Sequence, residues 1–373
     1  MPLGETLGVL KFYAKAIASI RDAAQFIYVV DDPDGFGDSV LAEGFDDGVD
    51  KVLTSNELRS SWLPKDWIEL MAHHFQDPVS EFSKVQLFFD FHAFSVPWKY
   101  GNAKRQQDKI RENYVSCAAA ITPFPYTYFS FKETVGRGTG KLFLSPCPIL
   151  IDDQLARRAA RGEFPDTLTG TGSDRPGITL FYPAQLQAHK NHRLLWRIIR
   201  KLSETMEVRC LMTGTGFTEA LSDRLLADAA SLGVTSSLSH LGVVPEEELA
   251  ALYRYADVTV IPSLAEGGAL VALEALACGG RVACSGIQQA VTHLEMKAAL
   301  PFVELFDPWS ANEAVAAILR ARDRAPIDED DIVLDSVADL GETLKMVMQF
   351  VKHEIRRPQL MVDGSGKFRG YAS

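Results

Sequence analysis

Along the second half of the chain, short apolar runs alternate with longer amphipathic ones. Runs of strand length fall at 178–182 (ITLFY), 208–214 (VRCLMTG), 238–242 (LSHLG), 258–263 (VTVIPS), 281–285 (RVACS) and 302–307 (FVELFD). Between them lie helical patterns: HRLLWRIIRKLSE, EALSDRLLADAASL, EEELAALYRYA, ALVALEALAC, a short stretch near 291–299, and ANEAVAAILRAR. Strands apolar on both faces, alternating with helices, specify a parallel sheet covered on each side, so this half is predicted to be a doubly wound α/β domain.

The first half has the same character with a weaker pattern. Strands are predicted at 26–30, 51–55, 85–91, 118–124 and 141–146, and helices over GVLKFYAKAIASIRDAA, PKDWIELMAHHF and AKRQQDKIRENYVSCA. A first strand is expected before Gly4 and is missing from the sequence. The stretch 161–177 (RGEFPDTLTGTGSDRPG) is rich in Gly, Pro, Asp and Thr and has no apolar period, which marks a boundary. Beyond Arg322, the run ADLGETLKMVMQFVKHEIRR puts Leu344, Val347, Met348 and Val351 on one side of a helix. Three units are therefore expected: residues 1–165, residues 166–325, and a tail over 326–373 whose helix packs back on the first unit. The tail's Lys345, Lys352, Arg356 and Arg357 would allow peripheral contact with anionic lipid.

Composition narrows the class of function. The 373 residues are 47% hydrophobic and 23% charged, as in an ordinary globular enzyme. A formal charge of −11 argues against a general nucleic-acid binder. The five cysteines include no C-x-x-C pair, which fits reduced thiols and a cytoplasmic location. No apolar run of about 18 residues exists, so no transmembrane helix is expected, and the N-terminus lacks the apolar centre of a signal peptide.

The chemistry concentrates at PSLAEGGALVALEALACGG, residues 262–280, which sets Glu266 and Glu274 eight positions apart. This stretch leaves a strand at its carboxyl end, where open parallel sheets bind ligands. A helix starts between Gly268 and Val271, so its unpaired N–H groups favour an anion such as a diphosphate. Gly267 and Gly268 let backbone approach that ligand closely. The carboxylates would repel it, so they are assigned to hydroxyl donors: Glu274 to a ribose diol, Glu266 to a second sugar beyond the phosphates. Against this stands the plain reading that Glu266 only charges a helix end and Glu274 is solvated. Lys190, after the strand ITLFY, is placed to neutralise phosphate. His189 and His192 lack a third ligand at metal-binding spacing. LMTGTG (211–216) is half of a dinucleotide fingerprint, and GRGTGK (136–141) is a turn and not a phosphate loop.

Together the segments HKNHRLL, VRCLMTGTG, LSHLGVVPEEELAALYRYADVTVIPSLAEGGALVALEALACGG and FDPWSANEAVAAILRAR resemble family 4 glycosyltransferases, from about Ile178 to Arg322. The resemblance implies the GT-B architecture, an α/β fold of two Rossmann-like domains around a cleft. It implies a retaining transfer from a nucleotide-diphosphate sugar to a glycan or lipid-linked glycan of surface-polysaccharide type. It implies no cofactor and no obligatory metal, the nucleotide sugar being a substrate. Residue by residue, Lys190 matches the lysine on the donor diphosphate, Glu266 the glutamate near the donor sugar, and Glu274 the one on the ribose. Gly267, Gly268, Ala269 and Leu270 match the loop whose amides meet sugar and phosphates. Gly214 and Gly242, Val243 and Val244 match segments around base and phosphates, and His92, after LFFDF, a histidine facing the donor sugar. Two features depart from the pattern. YPAQLQA offers no second phosphate-binding arginine, and only Gly4 and Gly8 stand for a glycine-rich loop after the first strand. Either the chain is cut or mis-started, or the acceptor domain is degenerate, and the second case makes a non-catalytic nucleotide-sugar-binding or scaffold protein the alternative. A nicotinamide-dependent dehydrogenase fits less well, for want of a complete G-x-G-x-x-G after a strand.

Overall fold

The computed structural model describes residues 13–20, 27–29, 51–60, 67–71, 80–89, 92–95, 97–99, 101–135, 141–163, 177–214, 219–327, 331–356, 359–362 and 368–372. The strand expected before Gly4, the Gly/Thr-rich part of the boundary at 164–176 and the turn at 136–140 lie outside them.

The first half opens with helix α1 (13–19), then β1 (Ile27–Val29) and β2 (Lys51–Leu53), a separate parallel pair, and α2 (Ser55–Ser60). Next come β3 (Ile68–Met71), β4 (Ser83–Leu87), α3 (His92–Ser95), α4 (Ala103–Ser116), β5 (Ala119–Thr122), α5 (Pro125–Thr134) and β6 (Leu142–Leu144). The four strands β3-β4-β5-β6 form one parallel sheet in that order. Strand β3 corrects the helix expected over PKDWIELMAHHF. Its residues pair with β4 from Ile68↔Ser83 to Met71↔Gln86, and the Gln86 side chain donates to the Met71 carbonyl at 3.2 Å. With its backbone in the ladder, and Ile68 and Leu70 packed on the core, tertiary pairing overrides a local pattern that fits either state.

The second half runs α6 (Asp153–Ala160), β7 (Ile178–Pro183), α7 (His192–Leu202), β8 (Val208–Thr213), α8 (Glu219–Ser231), β9 (Leu238–Gly242) and α9 (Glu246–Tyr255). It continues through β10 (Val258–Ile261), α10 (Leu270–Ala277), β11 (Val282–Ser285), α11 (Gln288–Met296), β12 (Val303–Phe306) and α12 (Ala311–Arg322). Six strands pair in parallel in the order β12-β11-β10-β7-β8-β9. One face carries α7 and α12, with Leu195, Ile198 and Ile318 buried. The other carries α9 and α10, with Leu252, Tyr253 and Leu273 buried.

Helix α13 (Val337–Arg356) then places Leu340, Leu344, Val347 and Val351 against Tyr13, Ile17 and Ile20 of the first half. Its Lys345 pairs with Glu342, and Arg357 lies outside the described residues. A short antiparallel pair, β13 (Gln359–Val362) and β14 (Phe368–Ala372), follows. Among the described residues, no helix is long and apolar enough to cross a membrane.

Candidate functional site

Strand order fixes the site. From β7 the chain moves outward to β8 and β9, then returns to β10 on the other side of β7. Loops leaving the carboxyl ends of β7 and β10 therefore diverge, and a crevice opens at this switch point. The loop after β7 ends in a single 3-10 turn, Ala188–Lys190, and the loop after β10 runs from Pro262 to Ala269. Lys190 and Glu266 meet across the crevice, the ammonium 2.9 Å from each carboxylate oxygen. Their side chains are only 14% and 17% exposed. Burial pushes the Glu266 carboxyl upward, but Lys190, His189 and the hydrogen bond from Ser263 outweigh it and hold the group below its ordinary value. It is therefore a carboxylate facing an ammonium.

The glycine loop lies beside this pair. Ala269, at the N-cap of α10, makes no side-chain cap, and its own N–H donates to His293 Nδ1 at 3.0 Å. That bond requires an unprotonated Nδ1; burial, reinforced by Lys297 and opposed by Asp335, pushes His293 down to about 4. Phe124, from the junction of β5 and α5, lies across the two glycines. A Cβ on Gly267 would sit 2.6 Å from Phe124 Cε2 and 2.8 Å from the Phe89 carbonyl oxygen. One on Gly268 would sit 2.5 Å from Phe124 Cδ1 and 2.6 Å from His293 Nδ1. The Phe124 and His293 rings meet edge to face at 5.6 Å. Glycine is thus required at both positions by the neighbouring ring. Gly268→Ala is expected to displace Phe124 and break the Ala269–His293 bond, lowering Tm by a few degrees, at about 1–2 °C per kcal/mol in a chain of this size. The double variant Gly268→Ala/Phe124→Ala is expected to recover most of that loss, read by differential scanning fluorimetry.

Glu274 lies deeper. Only 2% exposed, it accepts from the Leu150 N–H at 3.0 Å and from the Tyr253 hydroxyl at 2.8 Å. Burial pushes its carboxyl up to about 7 against those two hydrogen bonds, and Glu246 adds to the rise. Both oxygens assigned from sequence to a ribose diol are thus engaged within the chain. Leu150 belongs to the crossover between the two sheets, which acidic residues grip at two further points: the Cys147 N–H donates to Asp335 at 2.7 Å, and that of Asp152 to Glu246 at 2.6 Å.

The remaining candidates distribute around the same edge. His92, buried at the start of α3, brings its ring centroid to 4.9 Å from that of His189, so the first sheet reaches the crevice there. Gly214 and Gly242 both have positive φ, and the Gly214 N–H donates to the Gly242 carbonyl at 2.9 Å. A Cβ at Gly214 would meet the Ala184 carbonyl oxygen at 2.6 Å, so only glycine lets the loops after β7 and β8 touch. Val243 is 74% exposed, while Val244 packs on the core of the second sheet. Leu270 begins α10. The fold therefore gathers Lys190, Glu266, Gly267, Gly268, Ala269 and His92 around one crevice and sets Glu274 behind it. Among the described residues, no three His, Cys, Asp or Glu side chains group as a metal-holding cluster. Sequence reasoning missed Phe124, His293 and Asn191. The available signal for Phe124 was its place between two prolines at the carboxyl end of a predicted strand; His293 lay unmarked in a helix.

Comparison with known proteins fits this arrangement. The family described as Glycosyl transferases group 1 matches residues 169–324. A D-inositol 3-phosphate glycosyltransferase from Mycobacterium sp. (strain JLS) is 34% identical over 137 residues, 36% of this chain and 28% of that protein. One from Salinispora arenicola is 42% identical over 84 residues, 22% and 19% of the two chains. The chain thus spans less than a third of the length of these curated relatives. Among solved structures, Anabaena HepE in complex with UDP-glucose superposes with a TM-score of 0.63 at 13% identity, over 93% of this chain and 95% of that one. Sucrose-phosphate synthase from Thermosynechococcus elongatus superposes at 0.54 and 17% identity, over 86% and 75%. At such identities the likeness is one of fold. Residues 169–324 thus match the Glycosyl transferases group 1 family, and the chain is built on the GT-B fold.

Proposed function

We propose that this protein is a retaining glycosyltransferase that moves a sugar from a nucleoside-diphosphate donor to a hydroxyl of a glycan or lipid-linked glycan. The observation that carries the reading is the buried Lys190–Glu266 pair at the switch point of the second sheet. Residues 166–325 would bind the donor, residues 1–165 the acceptor, and the tail would brace the first unit. Lys190 and the N-terminal amides of α10 would take the charge that grows on the diphosphate as the bond from the sugar C1 breaks. Glu266 would accept from donor-sugar hydroxyls and orient the sugar ring. The acceptor oxygen forms the new bond to C1, its proton passes to a diphosphate oxygen, and the nucleoside diphosphate leaves with the electron pair of the broken bond. The acceptor class, a growing surface polysaccharide or lipid-linked oligosaccharide, rests on the resemblance stated above, as does retention; contact with the inner face of a membrane rests on the basic residues of the tail.

The direct test is a panel of nucleotide sugars, UDP-glucose included, read by thermal shift and then by release of nucleoside diphosphate in the presence of glycan acceptors. Turnover supports the enzyme; binding without turnover across the panel supports a nucleotide-sugar-binding protein. Glu266→Gln keeps the volume of the side chain and removes its charge. It is expected to lower kcat by about 100-fold, the scale of one transition-state contact, with nucleoside-diphosphate affinity changed by less than about threefold. Full activity in this variant would remove Glu266 from the mechanism.

A further inference from the structure

Asn191 immediately follows Lys190 and precedes α7. Its backbone is left-handed, at φ 60° and ψ 44°. Besides Ala298, it is the only non-glycine residue with positive φ among those described. Glycine takes this conformation with less strain, and asparagine is among the few side chains that tolerate it. A residue kept in such a place implies work for its side chain. Asn191 stands at the N-cap of α7, but its side chain makes no cap there. Its Nδ2 donates instead to two carbonyl oxygens, that of Pro262 at 2.9 Å and that of Pro308 at 2.9 Å. Both partners are acceptors only, so the orientation of the amide is fixed by chemistry, and both of its N–H bonds are used.

These bonds join three carboxyl-edge loops, those after β7, β10 and β12. Pro262 lies four residues before Glu266 on the loop that carries it. The same turn is fastened twice more: the His189 carbonyl accepts from the Leu264 N–H at 2.7 Å, and the Lys190 carbonyl from the Tyr182 hydroxyl at 2.8 Å. We infer that Asn191 is a positioning residue that locks the Lys190 turn against the Glu266 loop and thereby sets where the ammonium meets a donor diphosphate. The inference rests on the donor reading proposed above and assigns a part of that site to a side chain that touches no substrate.

A double-mutant cycle tests it, because a residue that acts through Lys190 has no effect on phosphate once Lys190 is gone. Calorimetry would first rank UDP, GDP, ADP and dTDP against their nucleosides on the wild-type protein and take the tightest pair. Asn191→Gly keeps the left-handed backbone and removes both ties. It is expected to weaken the nucleoside diphosphate about tenfold and the nucleoside less than twofold. In a Lys190→Met background, the same change should alter nucleoside-diphosphate affinity less than twofold. Asn191→Asp, which keeps size and backbone tolerance but turns a carboxylate oxygen toward two carbonyls, is expected to show the same selective loss and carries the cycle if the glycine variant does not fold. Equal losses for nucleoside and nucleoside diphosphate, or additivity with Lys190→Met, would overturn the positioning role and leave the donor reading standing. A wild-type protein that binds none of the four diphosphates, or a Lys190→Met variant that binds them unchanged, would overturn the donor reading and this inference with it.

Discussion

On the donor reading proposed above, Lys190→Ala is expected to lose about 100-fold in affinity for a nucleoside diphosphate while binding of the bare nucleoside stays within about threefold, because the ammonium would contact the ligand at its phosphates only. The same change should destabilise the fold. It leaves the Glu266 carboxylate buried without its partner, a loss of roughly 3–5 kcal/mol when one member of such a pair is removed. Without Lys190, the strongest influence opposing burial is gone, so the Glu266 carboxyl should rise from its wild-type position. The variant should then lose less of its stability as pH falls than the wild-type protein does. In the wild-type protein Glu266, held below its ordinary value, stabilises at higher pH, and that contribution is lost as pH falls through its folded-state pKa. Calorimetric titration with diphosphate and nucleoside, and Tm measured from about pH 3 to pH 8, check both parts. Equal losses for the two ligands would reject the phosphate contact.

Glu274 gives the second large effect. Glu274→Ala strips the acceptor from the Leu150 N–H and the Tyr253 hydroxyl, both buried. Each orphaned group costs about 1–3 kcal/mol, so Tm should fall by roughly 5–10 °C. Glu274→Gln should be far milder, since its oxygen still accepts from Leu150 and its amide donates to the Tyr253 oxygen. The pH dependence has a defined sign. The carboxyl is raised from 4.5 to about 7 on folding, so between those values the native state holds a proton that the unfolded chain has released. Stability from this group is therefore full below about 4.5 and declines as pH rises to about 7, by about 3 kcal/mol at roughly 1.4 kcal/mol per unit. Glu274→Gln should flatten that slope. A wild-type Tm that rises steadily from pH 5 to pH 7, unchanged in the glutamine variant, would contradict the assignment. Should Glu274 also reach a ribose, Glu274→Gln would weaken nucleoside binding by about tenfold.

The second half of the chain was legible because its strands are short apolar runs and its helices longer, mostly amphipathic ones, so that length and regular alternation separate the two. All six strands there fall where the pattern puts them, within two residues at their ends. The first half was less so. Ile68–Met71 reads as helix locally and becomes a strand only because β4 offers it a ladder. Lys190 and Glu266 could be named from sequence as ends of separate strands, yet their meeting depends on β10 returning to the side of β7, a matter of strand order. The engagement of Glu274 by Leu150 spans 124 positions. Phe124 and His293 enter through packing, and nothing in their local sequence states which glycines they cover.

The seating of Phe124 over Gly267 and Gly268 has a consequence for affinity. If the glycine loop takes the donor proposed above, the phenyl ring already covers it, so arrival of the ligand and withdrawal of the ring become one coupled equilibrium. If the uncovered form amounts to about one molecule in a hundred, the measured dissociation constant is about a hundredfold weaker than the intrinsic one. Trimming the ring would then tighten capture of the ligand while removing a barrier that keeps bulk water from the glycine loop.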